Sequence, residues 1–231
     1  MRVSCIILAR GGSKGIPKKN IIDFCGKPLI AWTILQALGA EEVTDVWVSS
    51  DSDEILEIAK HYGANAIIRP EKISGDTDPS ESAWMHAIDF IEQQSGCSID
   101  FVLAPQVTSP LRHAADFSDA IAQIKANGAD SLLSVAEIED FFIWKQGDGE
   151  NPRSVNYDYK DRRPRQQIEK TYLENGSFYL FKPQVLINDN NRLSGDISLF
   201  VMDRYKMFQI DNVEDIELSS VIMKGFNLNK V

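Results

Sequence analysis

Cysteine is scarce in this 231-residue chain: Cys5, Cys25 and Cys97, an odd number and widely scattered. That excludes a disulfide framework and the paired spacing of a structural zinc site, and it implies a reducing, cytoplasmic setting. Histidine is as rare, and His61, His86 and His113 are too far apart to suggest a triad or a metal set. Basic residues fall short of acidic ones, 24 against 34, for a net charge of −10. An acid excess of that size argues against nucleic acid or an anionic membrane surface as a partner. No apolar run approaches the ~18 residues that a membrane span needs. The apolar stretch near residue 5 is short and leads into a charged, glycine-containing loop, so it reads as a first buried strand rather than a leader. What is present is 43% hydrophobic and 25% charged, enough for a sizeable core. The length suits one α/β domain of about 200–250 residues, so residues 1–231 are read as a single domain.

Hydrophobic periodicity gives the organisation. Strand-like runs at 3–8, 45–50, 64–69, 100–105 and 131–136 alternate with helix-like spacing at 28–38, 51–62, 79–94 and 114–127. Such alternation predicts βαβ units, a mostly parallel, doubly wound Rossmann-like sheet and helices on both faces. Ligands of such sheets bind beyond the carboxyl ends of the strands, so the loops after Leu8, Ser50, Arg69 and Pro105 are the places to look. The rhythm breaks near residue 137. Residues 146–167 are polar and turn-rich, which marks 137–175 as an inserted arm. Apolar patterning returns at 176–181 and 198–202, and a closing helix is expected over 212–226.

The loop after the first strand is the strongest chemical feature. It reads Ala9-Arg10-Gly11-Gly12-Ser13-Lys14-Gly15-Ile16-Pro17-Lys18-Lys19-Asn20. Glycines allow tight turns and bring backbone N–H groups close to a ligand. Four cations within ten residues of an acidic protein, added to those donors, suit a polyphosphate. The spacing is neither that of a Walker loop nor that of the dinucleotide fingerprint. The cluster Asp51, Asp53, Glu54 reads as a helix start rather than a metal site.

Further motifs follow in order: Arg69-Pro70 with Asp76-Thr77, Gln106-Val107-Thr108-Ser109-Pro110-Leu111-Arg112, Arg163-Pro164-Arg165-Gln166-Gln167, Asn175-Gly176-Ser177-Phe178-Tyr179, and Ile210-Asp211 with Asp215. Together with the glycine-rich loop they resemble the CMP-sialic acid synthetases, the acylneuraminate cytidylyltransferases, over nearly the whole chain. The resemblance implies a nucleotidyltransferase fold, a homodimer, and a requirement for CTP and Mg²⁺. It also implies a nonulosonic acid as acceptor, whose anomeric hydroxyl attacks the α-phosphorus to give the CMP-sugar and pyrophosphate.

The same resemblance distributes roles. Arg10 and Lys14 would neutralise the leaving pyrophosphate and Lys19 would hold the α-phosphate. Ala9, Gly11, Ser13 and Asn20 would seat the nucleotide, with Arg69 and Ser80 reading cytosine. Gln106 and Tyr179 would meet the acceptor, and Arg165, on an arm that the family exchanges between subunits, would hold its carboxylate. Asp211 would ligate the metal. Three departures stand out: Val107 where the family usually has proline, Leu173 where some relatives carry a cation, and Gln209 where several carry an aspartate. The alternatives are an eight-carbon keto sugar acid as acceptor and a non-catalytic nucleotide-binding homologue. A glycosyltransferase, reading Asp51-Ser52-Asp53 as its metal motif, is the third.

Overall fold

Alternating strands and helices assemble into one seven-stranded sheet. The computed structural model describes the chain except residues 13, 14, 140, 141, 148, 150, 163 and 231, and the side chain of Arg165. Its elements are β1 (Val3–Leu8), the short hairpin β2 (Asp23–Phe24) and β3 (Lys27–Pro28), α1 (Leu29–Leu38), β4 (Asp45–Ser50), α2 (Asp53–His61), β5 (Asn65–Ile68), α3 (Ser80–Ser95), β6 (Phe101–Pro105) and α4 (Ala114–Asn127). There follow β7 (Ser131–Ile138), the arm hairpin β8 (Trp144–Lys145) and β9 (Arg153–Ser154), β10 (Thr171–Phe181), α5 (Pro183–Asp189), β11 (Ile197–Met202) and α6 (Val213–Gly225).

The sheet order is β11-β7-β10-β6-β1-β4-β5. Only β10 runs against its neighbours: it is antiparallel to β6 and β7, while the remaining pairings are parallel. Successive side chains of a strand face opposite ways, and β1 shows the consequence. Cys5 and Ile7 enter the core with α1, α2 and α4, whereas Ile6 joins the core under α3 and α5. All three are fully buried, and each of the two isoleucines contributes about 1.5–3 kcal/mol. Helices on both faces explain why the parallel strands read as continuous apolar runs rather than alternating ones.

The chain leaves β1 toward β4 and β5 on one side, then returns to lay β6 on the other. That reversal is a topological switch point, and a crevice opens there at the carboxyl ends of the strands. The loop after β1 and the loop after β6 form its two lips.

The structure extends the sequence reading in one respect. Apolar patterning marked only residues 176–181, yet β10 starts at Thr171 and is antiparallel. Its first four residues are exposed, so they carry no hydrophobic signal. Between the two halves the register shifts, and Gly176 sits at φ +62° with room for no side chain. A Cβ there would run into the side-chain amide nitrogen of Gln209.

Candidate active site

A cavity of about 620 Å³ fills the crevice. Seven of the residues chosen from the sequence line it: Arg10, Lys19, Asn20, Arg69, Ser80, Gln106 and Asp211. They come from five separate stretches of chain, brought together because each stretch follows a strand or opens a helix at the same end of the sheet. Ser13 and Lys14 lie outside the described residues, as do Arg163 and the Arg165 side chain.

The loop after β1 is held by electrostatics. Arg10 Nη1 pairs with the Asp76 carboxylate at 2.6 Å, and Lys19 Nζ with Asp211 at 2.8 Å. Outside the cavity lining, Lys18 reaches Glu54 at 2.6 Å. Asn20 turns inward, its amide donating to the Arg10 carbonyl at 2.9 Å. Lys18 itself is left-handed, φ 53°, just before the short 3-10 turn Lys19–Ile21. Gly15 packs so closely that a Cβ would lie 2.7 Å from the Asp211 carbonyl. Ala9 is buried and donates to the Ser49 carbonyl.

Asp51 has a role that the sequence did not disclose. The residue caps no helix: Ser52 occupies the cap of α2. Its carboxylate accepts the Gly11 N–H at 2.8 Å and so fixes the glycine-rich loop.

Arg69 is no surface cation. It is buried, its Nη2 donates to the Ser49 carbonyl at 2.6 Å, and its Nε is buried without a partner. Burial lowers its pKa, an effect opposed by Asp51 and reinforced by Arg10, yet guanidinium remains charged. Ser80 is the first residue of α3, after Pro79 at the cap.

The opposite lip is built differently. Gln106 receives its position from backbone bonds: its N–H donates to the Ser177 carbonyl at 2.9 Å, and its carbonyl accepts from Arg112 at 3.1 Å. Arg112 is fully buried. It also donates to Gln36 Oε1 at 2.8 Å, Thr33 Oγ1 at 2.7 Å and the Ser177 carbonyl at 2.8 Å. Burial pushes its guanidinium well below the usual range, to about 9. The motif ending in Arg112 is visible in the sequence; that its arginine is an internal strut is visible only in the fold.

Two further residues occupy places the sequence did not foresee. Gln209 is turned away from the cavity, its amide donating to the Asn175 carbonyl at 3.0 Å over the β10 bulge. Tyr179 does not line the cavity; it is buried in the core under α3, in the same cluster as Trp84. Trp84 is buried in that same core and also borders the cavity. At the far end, Asp211 precedes α6. Asn212 caps that helix, and Asp215 accepts the Asp211 and Asn212 N–H groups at 2.9 and 2.7 Å. Asp215 therefore works in the capping box, leaving the Asp211 side chain to the cavity.

The family model described as cytidylyltransferase matches residues 4–203. The chain belongs to the cytidylyltransferase family. It is 33% identical to a pseudaminic acid cytidylyltransferase of Campylobacter jejuni subsp. jejuni, with 97% of each chain covered. It is 38% identical to N-acylneuraminate cytidylyltransferase B of Danio rerio, over 76% of this chain and 41% of that one. Among solved structures, a CMP:2-keto-3-deoxy-manno-octonic acid synthetase complexed with CTP superposes at a TM-score of 0.72. That match has 15% identity and covers 98% of this chain and 100% of the other. At such identity the likeness speaks for the fold. In this cytidylyltransferase the cavity at the switch point is thus the candidate active site, and no described helix is long and apolar enough to cross a membrane.

Proposed function

We propose that the protein transfers CMP from CTP to a nonulosonic acid, with pseudaminic acid the first acceptor to test. The observation carrying this reading is the convergence of Arg10, Lys19, Asn20, Arg69, Ser80, Gln106 and Asp211 on one cavity. The near full-length similarity to a pseudaminic acid cytidylyltransferase supports the acceptor class.

The acceptor's anomeric hydroxyl attacks the α-phosphorus; the bond to the bridging oxygen breaks, pyrophosphate leaves, and the hydroxyl proton goes to solvent. Such a displacement is mainly positioning and charge stabilisation. Arg10 and Lys19 exchange their carboxylate partners for phosphate oxygens. Lys14, in the same loop, adds a third charge. Arg69 and Ser80, both on the cavity wall, present donors to the cytosine carbonyl and ring nitrogen. Gln106 orients the acceptor. Arg165 is assigned to the acceptor carboxylate, which a guanidinium can grip with two parallel bonds.

Mg²⁺ commonly binds one or two carboxylates together with phosphate oxygens and water. Asp211 fits that pattern as a single carboxylate, 62% exposed at the cavity edge, and it would hold the ion; Gln209 is engaged elsewhere. When bound, Mg²⁺ would neutralise phosphate charge.

A homodimer joined through the arm belongs to the same reading. The arm's exposed Trp144 and Tyr159, whose rings lie tilted against each other, support a buried role for them in an assembly. Three free cysteines support a cytoplasmic location.

The test is pyrophosphate release from CTP, with and without Mg²⁺, across pseudaminic, legionaminic, sialic and eight-carbon keto sugar acids. Release with a nine-carbon acid is expected. Release with the eight-carbon acid alone would replace the acceptor class, and CTP binding without release would return the protein to a non-catalytic role.

A further inference from the structure

One carboxylate beside the glycine-rich loop has no part in the proposed chemistry. Asp51 follows the end of β4, the strand that lies between β1 and β5. It is exposed and outside the cavity lining. Its Oδ1 accepts the Gly11 N–H at 2.8 Å. The carbonyl of the same peptide unit, that of Arg10, accepts the Asn20 side-chain amide at 2.9 Å. A peptide unit is planar and trans, so its N–H and C=O point in opposite directions. The two bonds therefore clamp the Arg10–Gly11 peptide from both sides. Arg10 and Asn20 both line the cavity, and the clamp sets the point from which the Arg10 side chain departs.

The turn out of β4 holds the neighbouring parts as well. The Ser49 carbonyl accepts the Ala9 N–H at 3.1 Å and Arg69 Nη2 at 2.6 Å, and the Ser50 carbonyl accepts the Arg69 N–H at 2.8 Å. A Cβ on Gly11 would come 3.0 Å from the Ser52 Cβ, so the loop packs directly on this turn. The charge of Asp51 opposes an incoming triphosphate. What the residue can offer such a ligand is geometric: an acceptor that fixes the Gly11 N–H.

We infer that Asp51 is a positioning residue for the nucleotide: by holding the Arg10–Gly11 peptide against Asn20, it presets Arg10 for the phosphates of CTP. This rests on the proposed transferase reading. Arg10 trades Asp76 for phosphate by turning its side chain, while its backbone stays clamped. Asp51 acts through the loop rather than by touching the ligand.

The experiment measures binding of CTP, tripolyphosphate and cytidine to wild type, D51A, D51N and D51S by calorimetry, with Mg²⁺ present throughout. D51A is expected to weaken CTP and tripolyphosphate alike, by about fivefold to tenfold, with cytidine changed by less than about twofold, the range that one exposed hydrogen bond supports. D51N keeps an acceptor oxygen and removes the charge, so it should bind CTP at least as tightly as wild type. D51S is too short to reach Gly11 and should follow D51A; it carries the comparison if D51A does not fold. D51N as weak as D51A would assign the effect to charge. D51A binding CTP as tightly as wild type, or more tightly, would make Asp51 a bystander or a competitor of phosphate. Cytidine weakened in step with CTP would mean a general loss of structure. Each of these overturns the inference while the transferase reading stands, whereas a wild type that does not bind CTP overturns both.

Discussion

The two lips of the cavity solve the same task by opposite means. The loop after β1 is exposed, rich in cations and held by ion pairs to Asp76, Glu54 and Asp211, plus one carboxylate bond from Asp51. Exposed pairs of this kind contribute little stability, typically 0–1 kcal/mol each, and their carboxylates can be traded for phosphate. The loop after β6 is locked by Arg112, a buried cation surrounded by carbonyls, a hydroxyl and an amide oxygen. Such a strut cannot be exchanged for ligand without leaving buried acceptors unsatisfied. The comparison teaches that charge on the loop after β1 is available for exchange, whereas charge behind the loop after β6 is spent on shape.

The largest expected effect falls on the locked lip. Arg112→Met leaves Gln36 Oε1 and the Gln106 and Ser177 carbonyls buried without that donor. Breaking a buried charged network in this way costs about 3–5 kcal/mol, which for a chain of this size lowers Tm by roughly 10 °C. Thermal unfolding checks it, and a variant as stable as wild type would erase the distinction between the lips. Next comes Lys19→Ala on the exchangeable lip. Turnover should fall by roughly 10²–10³-fold, the loss typical of removing one charge-stabilising donor, while Tm stays within a degree or two. Unchanged turnover would remove Lys19 from the phosphate site.

The smallest effect sharpens the contrast by pH. Backbone bonds from Asn212 and Asp211 hold the Asp215 carboxyl below its ordinary 3.8. A group with a depressed folded pKa stabilises above its ordinary value, and that contribution is lost as pH falls through the folded value. The start of α6 and the seat of Asp211 should therefore loosen below about pH 4, whereas the Arg112 network has no carboxylate in it to titrate. Hydrogen exchange measured across pH 5 to 3 should show α6 opening before the segment 106–112. Simultaneous opening would contradict the comparison.

Much of this protein was legible in its sequence. Apolar runs and 3.6-residue spacing located the parallel strands and the five longest helices to within a residue or two, because burial on both faces of the sheet imposes those periods directly. The glycine-rich loop stood out because it follows the first strand and gathers four cations; Arg69, Ser80, Gln106 and Asp211 were picked out by their match to family motifs, and the fold brings them to the same edge. The exposed half of β10 escaped, having no core to mark it. Partners distant in sequence escaped as well: Asp51 on Gly11, Arg112 on Gln36, Gln209 on the β10 bulge, and Tyr179 in the core under α3 rather than in the cavity lining. Local sequence determines periodicity, turns and which chemistry is carried; which polar atom meets which is decided by tertiary packing, because only there does desolvation force every buried charge to find its own partner.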